Sequence, residues 1–218
     1  DLPDPAPPPL ASNMPRRPGY GPAPGAAGAT CAESLTEVAK RVRAHLASFI
    51  SAGLLSRSVC PDWDRKGSAF QVLEWLGDSV LHLFMTQQVL HLYAGAGATE
   101  GQLSILRNGC VGTAVLARVF RSLDLARLLK HPGGSDSMPH YLIEEKKCAD
   151  VIEAIIGELF EEATREAEAA SKGAGAKSGG GVSGTSACEM MRILMDFAFR
   201  VGVEERPMRM SSPAPPRL

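Results

Sequence analysis

This sequence predicts an all-α fold of about six helices, on three observations. Apolar residues recur at helical spacing through several long segments. No segment alternates strictly between apolar and polar, as a half-buried strand would. Glycine and proline gather in a few connections and at the two ends of the chain, leaving long stretches free of helix breakers. The 218 residues suffice to bury one substantial core.

Residues 1–32 hold nine prolines before Thr30 among many Ala and Gly, and read as an N-terminal tail that forms no packed element. A helical domain is expected over 33–203. From Ala32 to Leu55, the residues Leu35, Val38, Val42, Leu46 and Phe49 fall on one face, with Ser34 or Thr36 available as cap. Lys40, Arg41 and Arg43 decorate the wet side. Cys60-Pro61-Asp62-Trp63 begins a connection, and a long helix follows from about Ser68 to Tyr93. Tyr93 to Thr99 is a glycine-rich turn, too short for a nucleotide-binding loop. Glu100 to Leu123 reads as one further helix, and Asp124 to Lys130 as a short basic segment. After the loop His131 to Tyr141 comes a helix from Ile143 to about Ala170, ending in charged sequence. A Gly/Ser-rich insertion spans 171–186, Cys188 to Val201 forms a last apolar helix, and residues 204–218 make a Pro-rich tail.

Two features are anomalous. Phe70 to Tyr93 is apolar enough to be buried, yet Glu74 and Asp78 stand in its most apolar part, one turn apart on one helical face. In Lys146 to Phe160, Asp150 and Glu153 likewise share a face amid Ala149, Val151, Ile152, Ile155 and Ile156. Carboxylates among such neighbours are costly unless cations or hydrogen-bond donors compensate. A single acidic pair is usually a solvated helix face. Here there are two, each beside a helix-interior glycine, Gly77 and Gly157, which costs roughly 1 kcal/mol relative to alanine and suggests close helix contact. Laid side by side, the two helices would bring four carboxylates together, the hard oxygen set that magnesium or manganese takes.

Leu73-Glu74-Trp75-Leu76-Gly77-Asp78-Ser79-Val80-Leu81 resembles the nine-residue signature of the ribonuclease III endonuclease domain, and Lys146 to Gly157 resembles its second acidic motif. Between them, Gln102 to Leu116 is similar to the intervening helix, with Leu103, Ser104, Leu106, Arg107 and Val111 in place. The resemblance covers about residues 33 to 168. It implies a fold that dimerises through the signature helix, with Trp75, Leu76 and Gly77 as dimer-contact candidates, packing within one subunit being the plain alternative, and a valley for structured or double-stranded RNA. It also implies Glu74, Asp78, Asp150 and Glu153 as catalytic residues and as ligands to Mg2+ or Mn2+, directly or through water. Lys146, a lysine recurrent in the family motif, and Arg107 are the RNA-contact candidates, the plain alternatives being a salt bridge and surface charge. The sequence departs from the family at Gln71, where an accessory glutamate is common. After Glu168 there remain a linker, one helix and a tail, so no double-stranded RNA-binding domain is expected to follow.

A net charge of −1 gives no overall basic footprint, so RNA affinity must come from local clusters such as Arg107, Arg118, Arg121, Arg127 and Lys130, from a partner chain, or from bridging ions. Five scattered cysteines without CxxC spacing argue against zinc and a disulfide framework, and reduced thiols point to an intracellular setting. No apolar run is read as reaching the roughly 18 to 20 residues of a membrane span. The start at Asp1 suggests a mitochondrial or other organellar origin, with nucleus or cytoplasm as alternatives.

The reading that results is a metal-dependent endoribonuclease that leaves 5′-phosphates and works as a homodimer or a heterodimer with a related chain. The alternative is a non-catalytic, RNA-binding or dimerising subunit of a mitochondrial ribosome or RNA-processing complex. A helical adaptor without an RNA role ranks third.

Overall fold

A computed structural model of the chain describes residues 33–93, 97–130, 143–171 and 185–204. The expected tails, the centre of the glycine-rich turn, the loop 131–141 and most of the Gly/Ser-rich insertion lie outside the described residues. Within them there are six α-helices and no strand: α1 (Leu35–Ser51), α2 (Ala69–Tyr93), α3 (Glu100–Val111), α4 (Thr113–Ser122), α5 (Glu145–Ser171) and α6 (Ala187–Glu204). A short 3-10 helix, Leu125–Arg127, follows α4.

The helix starts follow from local chemistry. Ser34 caps α1 by accepting from the Glu37 amide at 3.3 Å. Thr99 and Gln102 form a reciprocal capping box at the start of α3. At α2 the Ser68 hydroxyl accepts from the Gln71 amide, while the Gln71 side chain reaches back to accept from the Gly67 amide at 2.8 Å. The residue that departs from the family motif thus helps to fix the start of the helix.

One expectation needs correction. Glu100 to Leu123 is two helices, because Gly112 adopts an extended conformation (φ −63°, ψ 147°) that ends α3 and starts α4. Glycine disfavours the helix interior, and the bend lets α4 bury Leu116, Ala117, Val119 and Phe120 completely. Glu100–Ser122 is apolar enough by length and composition to pass as a membrane span, contrary to the sequence reading. The break at Gly112 divides it into helices of 12 and 10 residues.

α5 lies at the centre and packs against α2, α4 and α6. Its middle is buried all round, with Val151, Ile152, Ala154, Ile155, Ile156 and Leu159 in the core. α1 closes the far side on α6 through Val42, Leu46 and Phe49. Its wet face is tied locally, Lys40 to Glu37 and Arg41 to Glu33, and across the fold by Arg43 to Asp124.

The α2/α5 crossing positions everything that follows. A Cβ at Gly77 would lie 1.8 Å from the Glu153 carbonyl oxygen, and one at Gly157 would lie 2.1 Å from that of Leu73. The two backbones touch, which only paired glycines permit.

Candidate active site

Because α2 and α5 meet at Gly77 and Gly157, Glu74 from α2 faces Asp150 and Glu153 from α5. Carboxylate oxygens of these three residues all lie within 4.8 Å of one another. Asp150 is buried, and the other two are half-buried. Lys146, one turn before Asp150, places its ammonium among them. It donates to Glu74 Oε1 at 3.0 Å and forms a second ion pair with Asp150.

Asp78 is the fourth expected acid; it lies outside the 4.8 Å set but close enough to Glu153 to raise its pKa. Its carboxylate is half-exposed and lies 3.4 Å from Nε2 of His82, one turn further along α2. An i,i+4 spacing puts Asp78 on the same face as Glu74, but Glu74 is the one that meets the acids of α5.

Three acids against one ammonium leave the cluster short of positive charge, and the acidities show it. Burial pushes the Glu153 carboxyl up to about 7; Lys146 opposes this, and Asp78, Asp150 and Glu74 add to it. Asp150 is raised as well, first by burial and then by Glu74, against the hydrogen bond from Lys146. For Lys146, burial works against the charge, but the hydrogen bonds to Asp150 and Glu74 prevail and raise its pKa. Hard oxygens, a converging geometry and a surplus of negative charge are what a small divalent cation requires. The donor set fits such an ion.

The two helices that form the cluster fall in a stretch similar to known proteins. Residues 71–163 match the model of the ribonuclease III domain, a span that runs from the start of α2 into the second half of α5 and contains all four acids. Over this span the chain is similar to the ribonuclease III domain. It is 29% identical over 137 residues to ribonuclease 3 of Borreliella burgdorferi, covering 60% of this chain and 54% of that protein. It is 33% identical over 116 residues to ribonuclease 3 of Rhodobacter capsulatus (53% and 46% covered). With ribonuclease 3 of Cereibacter sphaeroides it shares 38% over 97 residues (44% and 41%). The chain spans about half the length of these relatives.

The remaining candidates fall in different places. Gly77 is buried against α5 of its own chain, the alternative of packing within one subunit. Trp75 is 73% exposed, and Leu76 is half-buried. Arg107 is not at the acidic cluster. It contacts the Asn108 side chain and lines a small groove with Thr86, Val89 and Leu90, about 18 Å along α2 from Glu74. Arg121 pairs with Glu145 and Arg127 with Asp124, the plain reading of those charges.

Sequence reasoning missed Glu158. Its buried carboxylate accepts hydrogen bonds from the amides of Ser56, Arg57 and Ser58, from the Ser58 hydroxyl and from Arg57 Nε. Burial alone would raise its pKa, but these donors lower it. Glu158 latches the α1–α2 connection onto α5 one turn beyond Glu153. The available signal was a third acid in the apolar run that holds Asp150 and Glu153.

Proposed function

We propose that the protein is a Mg2+- or Mn2+-dependent endoribonuclease that hydrolyses phosphodiesters of structured or double-stranded RNA during RNA processing. The observation that carries this reading is the convergence of Glu74, Asp150 and Glu153 within 4.8 Å, inside the span that matches the ribonuclease III domain. These three residues would hold the ion, with Asp78 adding to the set through water. When bound, a divalent ion acidifies water and stabilises charge on the attacked phosphate, which is the chemistry that hydrolysis needs. The chain's own part is to hold the acids rigidly on two touching helices, to keep Glu153 in a half-buried environment, and to offer the Lys146 ammonium to nearby anions. The products carry 5′-phosphates.

The protein works on RNA as a dimer in this reading. Val72, Trp75, Leu83 and Leu90 recur along the side of α2 that faces away from the core and are 45–73% exposed. Such a stripe suits a second copy of this chain or a related one.

The non-catalytic alternative is favoured by one observation. Gln71 stands where the family motif commonly has an acid, and its side chain is committed to the Gly67 amide. One experiment separates the two readings: incubate the protein with a labelled RNA duplex of a few helical turns, with and without Mg2+, beside an Asp150→Asn, Glu153→Gln double variant. Cutting that needs the metal and vanishes in the variant supports the enzyme. Intact RNA after incubation with folded, dimeric protein refutes it and favours the structural subunit.

A further inference from the structure

We propose that Lys146 is the resident counter-ion of the acidic cluster, and that a divalent cation binds there only by displacing its ammonium. This rests on the reading of Glu74, Asp150 and Glu153 as a metal site. The Lys146 ammonium occupies oxygens of two of the three converging carboxylates, Glu74 at 3.0 Å and Asp150 in a closer pair. An ammonium and a divalent ion held by the same two carboxylates would lie only a few ångströms apart, and two cations at such spacing repel strongly.

The surroundings suit an exchange. The Lys146 side chain is 64% exposed and springs from the first turn of α5, so it can swing into solvent without unpacking the core. Its cationic neighbours are committed elsewhere, Lys147 over the Trp63 ring at 5.3 Å and Arg121 on Glu145. Lys146 therefore keeps the metal-free cluster from repelling itself apart, and it weakens metal binding to the same degree. Once displaced, the ammonium remains tethered at the rim, positioned to meet an anionic phosphate.

The test reads metal affinity rather than activity. Mn2+ is titrated into the wild type, Lys146→Met, Lys146→Arg and Glu153→Gln, and the resonance signal of the free ion is followed. Lys146→Met should bind Mn2+ roughly tenfold more tightly, a factor equal to about 1.4 kcal/mol, while Lys146→Arg stays close to the wild type. The thermal midpoint of metal-free Lys146→Met should fall, and Mn2+ should restore it by more than it raises the wild type. Unchanged or weaker binding by folded Lys146→Met would overturn the displacement and leave the metal site standing, provided that Glu153→Gln loses affinity. If Glu153→Gln binds Mn2+ as the wild type does, the metal site and the inference fall together.

Discussion

Replacing Gly77 with alanine tests the geometry on which the site depends, because two physical effects predict opposite signs. Helix propensity alone makes Gly77→Ala stabilising by about 1 kcal/mol. The crossing makes it destabilising: the new methyl would lie 1.8 Å from the Glu153 carbonyl oxygen and 2.7 Å from its carbon. An ordinary C···O contact is about 3.3 Å, so the helices would have to part by about 1.5 Å. The obstacle is backbone, which no rotamer change can relieve. Overpacking costs about 1–3 kcal/mol, and the upper end applies here, leaving a net loss of about 2 kcal/mol after the propensity gain. For a domain of this size that is a fall of roughly 4–8 °C in the thermal midpoint. Because Glu153 itself is pushed away from Glu74, Mn2+ affinity should fall as well. The assay is thermal unfolding by circular dichroism together with Mn2+ titration. Gly101→Ala serves as control, since a Cβ there meets nothing within 4 Å. A Gly77→Ala protein as stable as the wild type, or more so, would refute the close crossing.

Other consequences can be measured directly. Glu158→Gln keeps the shape but places an amide among donors that had faced a carboxylate, so unfolding in urea should show a loss of about 3–5 kcal/mol. The Glu153 carboxyl, raised from 4.5 to about 7, keeps its proton in the folded protein where the unfolded chain has released it. Its contribution therefore favours folding at low pH and is lost as pH rises from about 4.5 to about 7. Urea midpoints of metal-free protein at pH 5 and pH 7.5 should show this decline, with Glu153→Gln flattening it and Mg2+ opposing it. Leu83→Glu, at a position 62% exposed, should convert a dimer to a monomer in light scattering while leaving Mn2+ binding unchanged.

The parts of the fold legible in the sequence were those dictated by local periodicity. α1, α2, α5 and α6 announce themselves by apolar residues at helical spacing, and Ser34 by its capping chemistry. The break at Gly112 was not legible, because a single glycine in an apolar pattern can continue a helix, and here packing of α4 on α5 decides otherwise. At the site, the cost of burying charge singled out Glu74, Asp150 and Glu153, and the paired glycines indicated how close their helices come. Which acids touch was hidden, since Asp78 has the same spacing but the position of the crossing leaves it beside His82. Glu158 was hidden for the complementary reason: its donors come from a loop about a hundred residues upstream in the chain.

α2 answers to three different demands, and this explains why it is apolar almost all round yet carries acids. One side, Leu73, Gly77, Leu81 and Met85, is consumed by the core. The opposite side carries Val72, Trp75, Leu83 and Leu90, whose exposure is unfavourable for an isolated chain and would be relieved by the proposed partner. Glu74 projects near the margin of the core face, where α5 meets it. The acidic cluster is thus complete within one chain, whereas the surface suited to a partner lies on another side of the same helix. In the proposed function, metal binding would therefore belong to the monomer, and recognition of a long RNA duplex to the pair. A partner docked on α2 cannot shift Glu74 against Asp150 and Glu153 without first breaking the contact at Gly77, so the crossing isolates the site's geometry from whatever binds outside it.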